Sequence, residues 1–273
     1  MNITKAIIAC FSPTQTTLRI LQAVARGVGA SEVFVLDLTL PEQETRPLPE
    51  VGGALVLIGA PVYAGRVPAV AERRLRRLQG SGAPAAVVAV YGNREYDDAL
   101  LELRDLAIEL GFVPVAGAAF VGEHSYSTPG TPIAAGRPDR RDLGEAEAFG
   151  AAVQARLAAI KTLSDLQPLQ VPGNRPYKPR NPKADEAAPE TREDLCIKCG
   201  KCAEVCPVGA VAVGETVTTD GRACILCCAC TRACPTGARV LEHPRITAWR
   251  EAAVTRLREP KRPNTFLADT RVP

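Results

Sequence analysis

The sequence predicts a doubly wound α/β domain with a five-stranded parallel sheet, followed by a small α+β module rich in cysteine. Short runs of Val, Ile, Leu and Ala alternate with stretches of helical spacing over residues 1–164, and nine of the ten cysteines fall between Cys196 and Cys234. Nearly continuous apolar strands separated by helices are typical of a parallel sheet covered on both faces. We therefore expect one domain over residues 1–164 and a second over residues 191–243.

The elements of the first domain follow from these runs. The five apolar runs predicted as strands are Ala6–Phe11, Glu32–Asp37, Ala54–Ala60, Ala85–Tyr91 and Val113–Phe120. Helical spacing of apolar residues predicts helices over Thr17–Gly27, Val70–Leu78, Asp97–Leu110 and Asp142–Leu163.

A proline-rich segment separates the two domains. Residues 165–190 show little periodicity and have the composition of an extended, semi-rigid linker. After the cysteines, residues 244–273 contain a predicted helix at Ile246–Arg258 and a proline-broken tail. We expect this tail to pack back on one of the domains.

Composition narrows the functional classes. No apolar run reaches the ~18 residues that span a bilayer, and the N-terminus lacks the features of a secretory signal, so we expect a cytoplasmic protein without a membrane span. The formal net charge is only +3 and the basic residues are scattered, which does not predict a nucleic-acid partner.

The cysteines form a tandem motif. Cys196–Val211 reads CIKCGKCAEVCPVGAV and Cys224–Arg239 reads CILCCACTRACPTGAR, so each copy contains C-x2-C-x2-C-x3-C-P. Cysteines with this dense spacing, in a chain without a secretory signal, favour metal binding over disulfides. Zinc ribbons use two separated pairs of cysteines, whereas runs of four with the C-P ending are typical of [4Fe-4S] clusters.

These motifs resemble those of bacterial-type two-cluster ferredoxins over about residues 190 to 243. The family pattern implies that three cysteines of one copy and the fourth of the other copy bind each cluster. The valine-rich segments Val211–Val213 and Val217–Thr219 would form a hairpin between the copies. Cys228 is expected to be a buried or spectator thiol, and Cys10 a core residue. The expected ligands are Cys196, Cys199, Cys202 and Cys234 for one cluster, and Cys224, Cys227, Cys230 and Cys206 for the other.

Three loops of the first domain suggest a second cofactor. Ser12-Pro13-Thr14-Gln15-Thr16-Thr17 lies between the first strand and its helix, where hydroxyls and backbone amides can bind a phosphate. Two further loops, at Pro61–Pro68 and Tyr91–Tyr96, follow the third and fourth strands. In doubly wound sheets, ligands bind at these carboxyl ends of the strands.

The three loops together are similar to those of flavodoxins, which bind FMN. The resemblance spans about residues 3 to 163. It departs from the family pattern at Gln15, where flavodoxins usually have glycine; a positive φ at this position would cost energy and weaken FMN binding. By this resemblance, Ser12, Thr14, Gln15, Thr16 and Thr17 would hold the phosphate, and Pro61, Val62, Tyr63, Ala64, Gly65, Tyr91, Gly92, Asn93, Arg94 and Tyr96 would contact the flavin ring.

The combination of both modules resembles a prokaryotic group of ferredoxins with an extended flavodoxin-like N-terminal region. This resemblance implies intracellular electron transfer between two [4Fe-4S] clusters, FMN and a redox protein partner. An FMN-dependent reductase of a small acceptor, fed by the clusters, is the alternative. A roomy polar pocket over the flavin would favour the reductase, and a ring walled in by Tyr63, Arg94 and Tyr96 would favour the carrier. His124, after the fifth strand, is expected near the flavin or the domain interface, unless it is an ordinary loop residue.

Overall fold

The computed structural model describes residues 1–180 and 186–271. Part of the predicted linker, residues 181–185, and the last two residues of the predicted tail lie outside the described residues. The strands of the main sheet are β1 (Lys5–Cys10), β2 (Glu32–Asp37), β3 (Leu55–Pro61), β4 (Pro84–Tyr91) and β5 (Val113–Val121). The helices of this domain are α1 (Thr16–Val28), α2 (Ala69–Leu75), α3 (Ala99–Glu109) and α4 (Arg140–Ala158).

The sheet has the strand order of a flavodoxin. Its five parallel strands are arranged β2-β1-β3-β4-β5, which is one of the two common orders of doubly wound folds. The carboxyl ends of β1, β3, β4 and β5 therefore lie along one edge, and we call this edge the cofactor edge. The predicted fold class is confirmed.

A sixth strand extends the sheet beyond the predicted five. Asn264–Leu267, in the C-terminal tail, pairs antiparallel with β5 and occupies the end of the sheet. The tail had too few apolar residues to predict a strand. It forms one because the backbone groups on the outer edge of β5 supply its hydrogen-bond partners.

Two helices cover the sheet as a tightly packed pair. A methyl group on Gly27 of α1 would lie 1.9 Å from the Glu147 carbonyl oxygen of α4, so glycine is required for the close approach. Helix α4 begins with a capping box in which Asp139 accepts hydrogen bonds from the backbone amides of Arg141 and Asp142.

Strand β2 departs from the prediction that both sheet faces are covered. Val33, Phe34 and Val35 are 44%, 52% and 49% exposed. The segment between β2 and β3 contains a single 3-10 turn at Pro41–Glu44, with no covering helix.

The described part of the proline-rich linker is a strap bound to α3. Asn174 donates its backbone amide to Asp98 at 2.8 Å, and the Arg66 guanidinium lies 4.8 Å from the centre of the Tyr177 ring. Arg180 forms an ion pair with Glu72 at 2.6 Å. The expected extended segment is therefore held against the first domain rather than spanning free space.

The cysteine-rich module follows this strap. It contains β6 (Glu190–Thr191), α5 (Lys201–Glu204), β7 (Val211–Val213), β8 (Val217–Thr219), α6 (Ala229–Ala233) and β9 (Arg239–Val240), and it is followed by α7 (Pro244–Arg256) and by β10, the tail strand Asn264–Leu267. The predicted hairpin is the pair β7 and β8.

The sequence repeat is also a backbone repeat. Lys198 and Leu226 have φ of 53° and 57°, and Gly209 and Gly237 have φ of 64° and 69°. Cys228, with φ of 59°, stands where the first copy has Gly200, with φ of 81°. Equivalent positions of the two copies therefore adopt the same left-handed conformation.

Among residues 1–180 and 186–271, no helix combines the length and apolar character that a membrane crossing requires.

Candidate functional site

The eight motif cysteines surround two separate cavities. Cys196, Cys199, Cys202 and Cys234 line one cavity, which we call the distal site. A second cavity is lined by Cys206, Cys224, Cys227 and Cys230, and we call it the proximal site. Each cavity takes three cysteines from one copy of the motif and one from the other, which is the grouping expected from the sequence.

These cavities suit a cluster better than a single ion. A zinc ion needs four ligand atoms about 2.3 Å from one point. Within the described residues, no three Cys, His, Asp or Glu side chains converge on a single-ion site. Four cysteines around a cavity are the donor set of a [4Fe-4S] cluster, so the residues present fit this cofactor.

The protein supplies further polar contacts to the cysteine sulfurs. The Ala210 amide donates to Cys206 Sγ at 3.2 Å, and the Leu226 amide donates to Cys224 Sγ at 3.4 Å. Burial raises the pKa of the Cys227 thiol to about 12. Because cluster ligands are thiolates, cluster binding must release the proton that burial holds on this thiol.

A buried arginine, not singled out by the sequence motifs, lies beside both cysteine sets. Arg239 is 4% exposed and lines the distal site. Burial raises the pKa of the Cys202 and Cys230 thiols, and the positive charge of Arg239 reduces this rise. Its guanidinium donates to the Pro189 carbonyl at 3.0 Å. A cation in this position offsets the negative charge that thiolate-bound clusters carry. Its position at the end of the second motif copy was the only sequence signal.

Cys228 also lines the proximal site, although it is not part of the repeated spacing. It is 3% exposed and packs with Leu241 and Ile246. Its Sγ lies 3.7 Å from the Leu226 carbonyl oxygen. The expectation of a buried thiol is met, and the left-handed backbone at this position is one that glycine adopts more easily.

The proximal site lies against the first domain. Val208 and Ile225, which line this cavity, pack on the hydrophobic core of the flavodoxin-like domain. Arg74 of α2 is 1% exposed and donates to the Pro207 carbonyl at 2.8 Å and to the Leu38 carbonyl at 3.2 Å. Leu38 follows β2, so one buried guanidinium joins the cofactor edge to the turn after Cys206. No motif singled out Arg74, because its role depends on contacts distant in sequence.

The predicted phosphate loop retains part of a phosphate site. The Ser12 amide donates to Thr39 Oγ1 at 2.7 Å and Ser12 Oγ accepts from the Leu18 amide at 3.1 Å, so Ser12 is satisfied by protein. Among the described residues, Thr17 Oγ1 is buried without a hydrogen-bond partner. Thr14 Oγ1 and Thr16 Oγ1 lie 3.3 Å apart. The first amides of a helix have no intrahelical acceptor, so those of Thr16 and Thr17 are placed to bind an anion.

Gln15 has the positive φ that, by the sequence argument, costs energy and would weaken FMN binding. It precedes α1 with φ of 62° and ψ of 0°, in the left-handed region. A non-glycine residue there costs roughly 1–2 kcal/mol. Its side-chain amide donates to the Ser12 carbonyl at 3.2 Å.

The first of the two loops expected to contact the flavin ring is bonded to residues on either side of the second loop. The Val62 amide donates to the Val90 carbonyl of β4 at 2.9 Å, and the Gly65 carbonyl accepts from the Asp98 amide, two residues beyond the second loop, at 3.1 Å. A methyl group on Gly65 would lie 2.1 Å from Asp97 Oδ2. Protein atoms thus lie directly against the inner side of the first of these loops.

The C-terminal segment covers the second loop. Asn93 is 1% exposed, and its Nδ2 donates to the carbonyls of Leu257 and Glu259, both at 2.9 Å. Its Oδ1 accepts from the Lys261 amide, also at 2.9 Å. The Tyr96 hydroxyl accepts from Asn264 Nδ2 at 3.0 Å.

An aromatic cluster closes the end of β4. A methyl group on Gly92 would lie 2.4 Å from His124 Cδ2. The His124 ring is 4.8 Å from the ring of Trp249 on α7 and 5.0 Å from that of Tyr126. Tyr63, the expected stacking residue, is hydrogen-bonded to Ser125 and lies near Cys227 and Cys228, where burial raises its pKa well above the usual value. His124 thus lies at the domain interface, one of its expected positions.

The residues present fit FMN at one end only. The phosphate loop offers free donors, whereas the ring-contacting loops are occupied by groups of this chain. Tyr91 and Tyr96 are 4% and 9% exposed. FMN at the phosphate loop stays a prediction, and so do the expected ring contacts of Pro61–Gly65 and Tyr91–Tyr96.

One protein-family model matches the cysteine-rich module. Residues 189–212, which contain the first four motif cysteines, match the family described as 4Fe-4S binding domain. No curated protein matches the chain in sequence.

Solved structures overlap the first domain. A flavodoxin from Archaea is 16% identical, with 56% of this chain and 99% of the flavodoxin covered and a TM-score of 0.41. A WrbA-like flavodoxin from Agrobacterium tumefaciens is 19% identical, with coverages of 58% and 99% and a TM-score of 0.39. Rubredoxin oxygen:oxidoreductase from Desulfovibrio gigas is 13% identical, with coverages of 57% and 37% and a TM-score of 0.37. The fold assignment rests on the strand order rather than on these overlaps.

The strand order, the paired cysteine motifs and the family match lead to the same conclusion. The chain joins a domain of flavodoxin-like fold to a C-terminal 4Fe-4S ferredoxin domain.

Proposed function

We propose that this protein is an electron carrier that holds two [4Fe-4S] clusters and exchanges electrons with a redox protein partner at the distal site. The observation that carries the proposal is the pair of cavities within one module, each lined by four motif cysteines. A bound cluster supplies reversible one-electron transfer, and the cysteines fix its position. The proposed ligand sets are those expected from the sequence.

The environments of the two sites differ in a way that supports distinct roles. Cys199 is exposed at the distal site, and Ile197, which lines that cavity, is 64% exposed. At the proximal site, Cys206, Cys227 and Cys230 are all buried. A partner protein can therefore approach the distal site closely, while the flavodoxin-like domain and α7 exclude water from the proximal one.

The internal repeat identifies the proposed docking surface. Ile225 packs on the flavodoxin-like domain, whereas Ile197, its equivalent in the first motif copy, faces solvent. Pro207 is likewise buried, and its equivalent Pro235 is exposed. The face that one copy uses to bind the flavodoxin-like domain is thus free on the other copy. An exposed apolar residue beside a redox site is suited to a transient protein contact.

The reductase alternative is not supported by an open acceptor site. That alternative requires a roomy polar pocket over the flavin, and Asn93 of the second ring loop is instead bonded to the C-terminal segment, while the Asp97 carboxylate lies against Gly65 of the first. The carrier hypothesis requires no substrate pocket. No step through FMN enters the proposed function.

Metal analysis of matched cysteine variants tests the proposal. The anaerobically reconstituted full chain should contain about eight irons and eight acid-labile sulfides, because each cubane holds four of each. Cys199→Ser should lower the iron content by about half, whereas Cys228→Ser should leave it unchanged. About four irons in the unmodified chain, or an equal loss in both variants, would overturn the two-cluster assignment.

Electron exchange at the distal site is tested with two acceptors. Ile197→Asp places a charge on the proposed docking surface without touching a cysteine ligand. We expect slower reduction of cytochrome c by the dithionite-reduced, desalted variant, and an unchanged rate with ferricyanide, which is too small to need a docking surface. Equal slowing with both acceptors would indicate damage to the cluster instead, and no slowing with either would refute this docking surface.

A further inference from the structure

We propose that the ferredoxin domain and the segment after α7 together take the place of the flavin ring at the cofactor edge, so that the assembled chain carries its clusters without FMN. This inference rests on the proposed function for the identity of the clusters. It concerns a separate question, namely what occupies the carboxyl ends of β3, β4 and β5. The positions of three groups of residues carry it.

The first group packs against Gly65 of the first ring loop. Gly65 accepts a hydrogen bond from the Asp98 amide at 3.1 Å, and the Asp97 carboxylate fills the volume against its Cα. Asp97 is itself paired with Arg94 and, at 3.3 Å, with Lys178 of the strap. A flat ring placed against Gly65 would have to displace the Asp97 carboxylate and so break these ion pairs.

The second group uses the polar atoms that a flavin ring would need. The Asn93 side chain donates from Nδ2 to the Leu257 and Glu259 carbonyls and accepts at Oδ1 from the Lys261 amide, at 2.9 Å in each case. A flavin presents carbonyl and N–H groups that must be paired when buried, because each unpaired group costs about 1–3 kcal/mol. The Asn93 side chain, which could have paired with a flavin group, is thus already bonded to the segment after α7.

The third group is the contact between the domains. The Tyr63 side chain is hydrogen-bonded to Ser125, the residue after His124. His124 covers Gly92, and its carbonyl accepts from Arg232 of α6 at 3.0 Å. Arg232 also pairs with Glu123 at 3.3 Å. The two residues expected above and beside the ring, Tyr63 and Gly92, are therefore in contact with the ferredoxin domain or with the loop that binds it.

The left-handed Gln15 is consistent with this replacement but does not explain it. A strained phosphate loop alone would weaken FMN binding while leaving the ring site open. The occupied ring loops predict that relief of this strain is not enough to restore binding. This difference separates the two explanations experimentally.

Flavin analysis of the full chain provides the test. The protein is expressed with riboflavin, its clusters are reconstituted anaerobically, and iron and flavin are measured on the same sample, with a true flavodoxin as positive control. FMN is then added to about 100 µM, which would nearly fill a site of micromolar affinity. We expect full iron content, no FMN in the purified protein, and no quenching of added FMN fluorescence. One FMN per chain at full iron content would overturn this inference and leave the cluster proposal intact, whereas loss of the clusters with no flavin would count against the proposed function alone.

The variant Gln15→Gly separates loop strain from occupation of the ring site. Glycine adopts the left-handed conformation without strain, so this variant removes the penalty in the phosphate loop and changes nothing in the ring loops. We expect it to bind no FMN, like the unmodified chain. Micromolar FMN binding by Gln15→Gly alone would show that strain, and not the docked ferredoxin domain, excludes the flavin, and would overturn the inference.

Discussion

Arg74 offers the sharpest test of how the two domains are joined. Its guanidinium is buried and donates to the carbonyls of Leu38 at 3.2 Å, Thr39 and Pro207 at 2.8 Å, while Glu44 forms an ion pair with it at 3.0 Å. Arg74→Met keeps an unbranched aliphatic side chain and removes every donor. Each buried acceptor left without a partner costs about 1–3 kcal/mol, so we expect the free energy of unfolding to fall by roughly 3 kcal/mol or more.

The neighbouring Arg73 supplies a matched control. It binds the same Glu44 at 2.7 Å, but its side chain is 62% exposed. Exposed ion pairs contribute under about 1 kcal/mol, so Arg73→Met should have little effect. The comparison therefore isolates the buried contacts from the shared carboxylate.

Guanidinium unfolding of the cluster-loaded proteins, followed by far-UV circular dichroism and by the visible absorbance of the clusters, gives both values. Because Pro207 follows the proximal ligand Cys206, we also expect Arg74→Met to lose cluster absorbance at lower denaturant than the unmodified chain. A loss of under about 1 kcal/mol, or equal effects of both substitutions, would refute the proposed role of Arg74.

Three further predictions address the loops and the interface. Gln15→Gly should raise the free energy of unfolding by about 1 kcal/mol, measured by denaturant unfolding, because it removes a non-glycine residue from the left-handed region; an unchanged or lower value would contradict the strain argument. Burial, with the charges of Arg232 and Arg94, lowers the pKa of His124 to about 4 from an unfolded value near 6.5. The unfolded state therefore binds the proton more readily, so the stabilisation present above pH 6.5 should be lost as the pH falls toward 4, by about 2 kcal/mol after allowance for partial exposure. His124→Asn should reduce this pH dependence in thermal melts, and an unaltered profile would exclude His124 as its source. Finally, Ile225→Ala should destabilise the chain by about 1–2 kcal/mol and Ile197→Ala by almost nothing, since only the first is packed against the core; equal losses in chemical unfolding would contradict the assigned interface.

Much of the fold was predictable because its signals are local. The apolar runs placed all five parallel strands within one residue of their observed ends, and Gly, Pro and charged residues marked the turns between them. The tail strand Asn264–Leu267 was missed because half of its residues are polar and its pairing depends on the free edge of β5. The exposure of Val33–Val35 was missed for a similar reason, since an apolar strand gives no sign that its covering helix is lacking.

The sequence by itself determined the chemistry of the cysteines, because ligand spacing along a short coil decides which sulfurs can surround a cluster. It also determined the parallel sheet and the position of the phosphate loop. Only the tertiary structure decided that Arg74 and Arg239 are buried beside the cysteine sites, that Gln15 is left-handed, and that the C-terminal segment and the ferredoxin domain lie across the loops expected to hold a flavin. The contacts between the domains join residues more than a hundred positions apart, such as Arg74 with Pro207 and Asn93 with Leu257, and no local pattern encodes such a pairing.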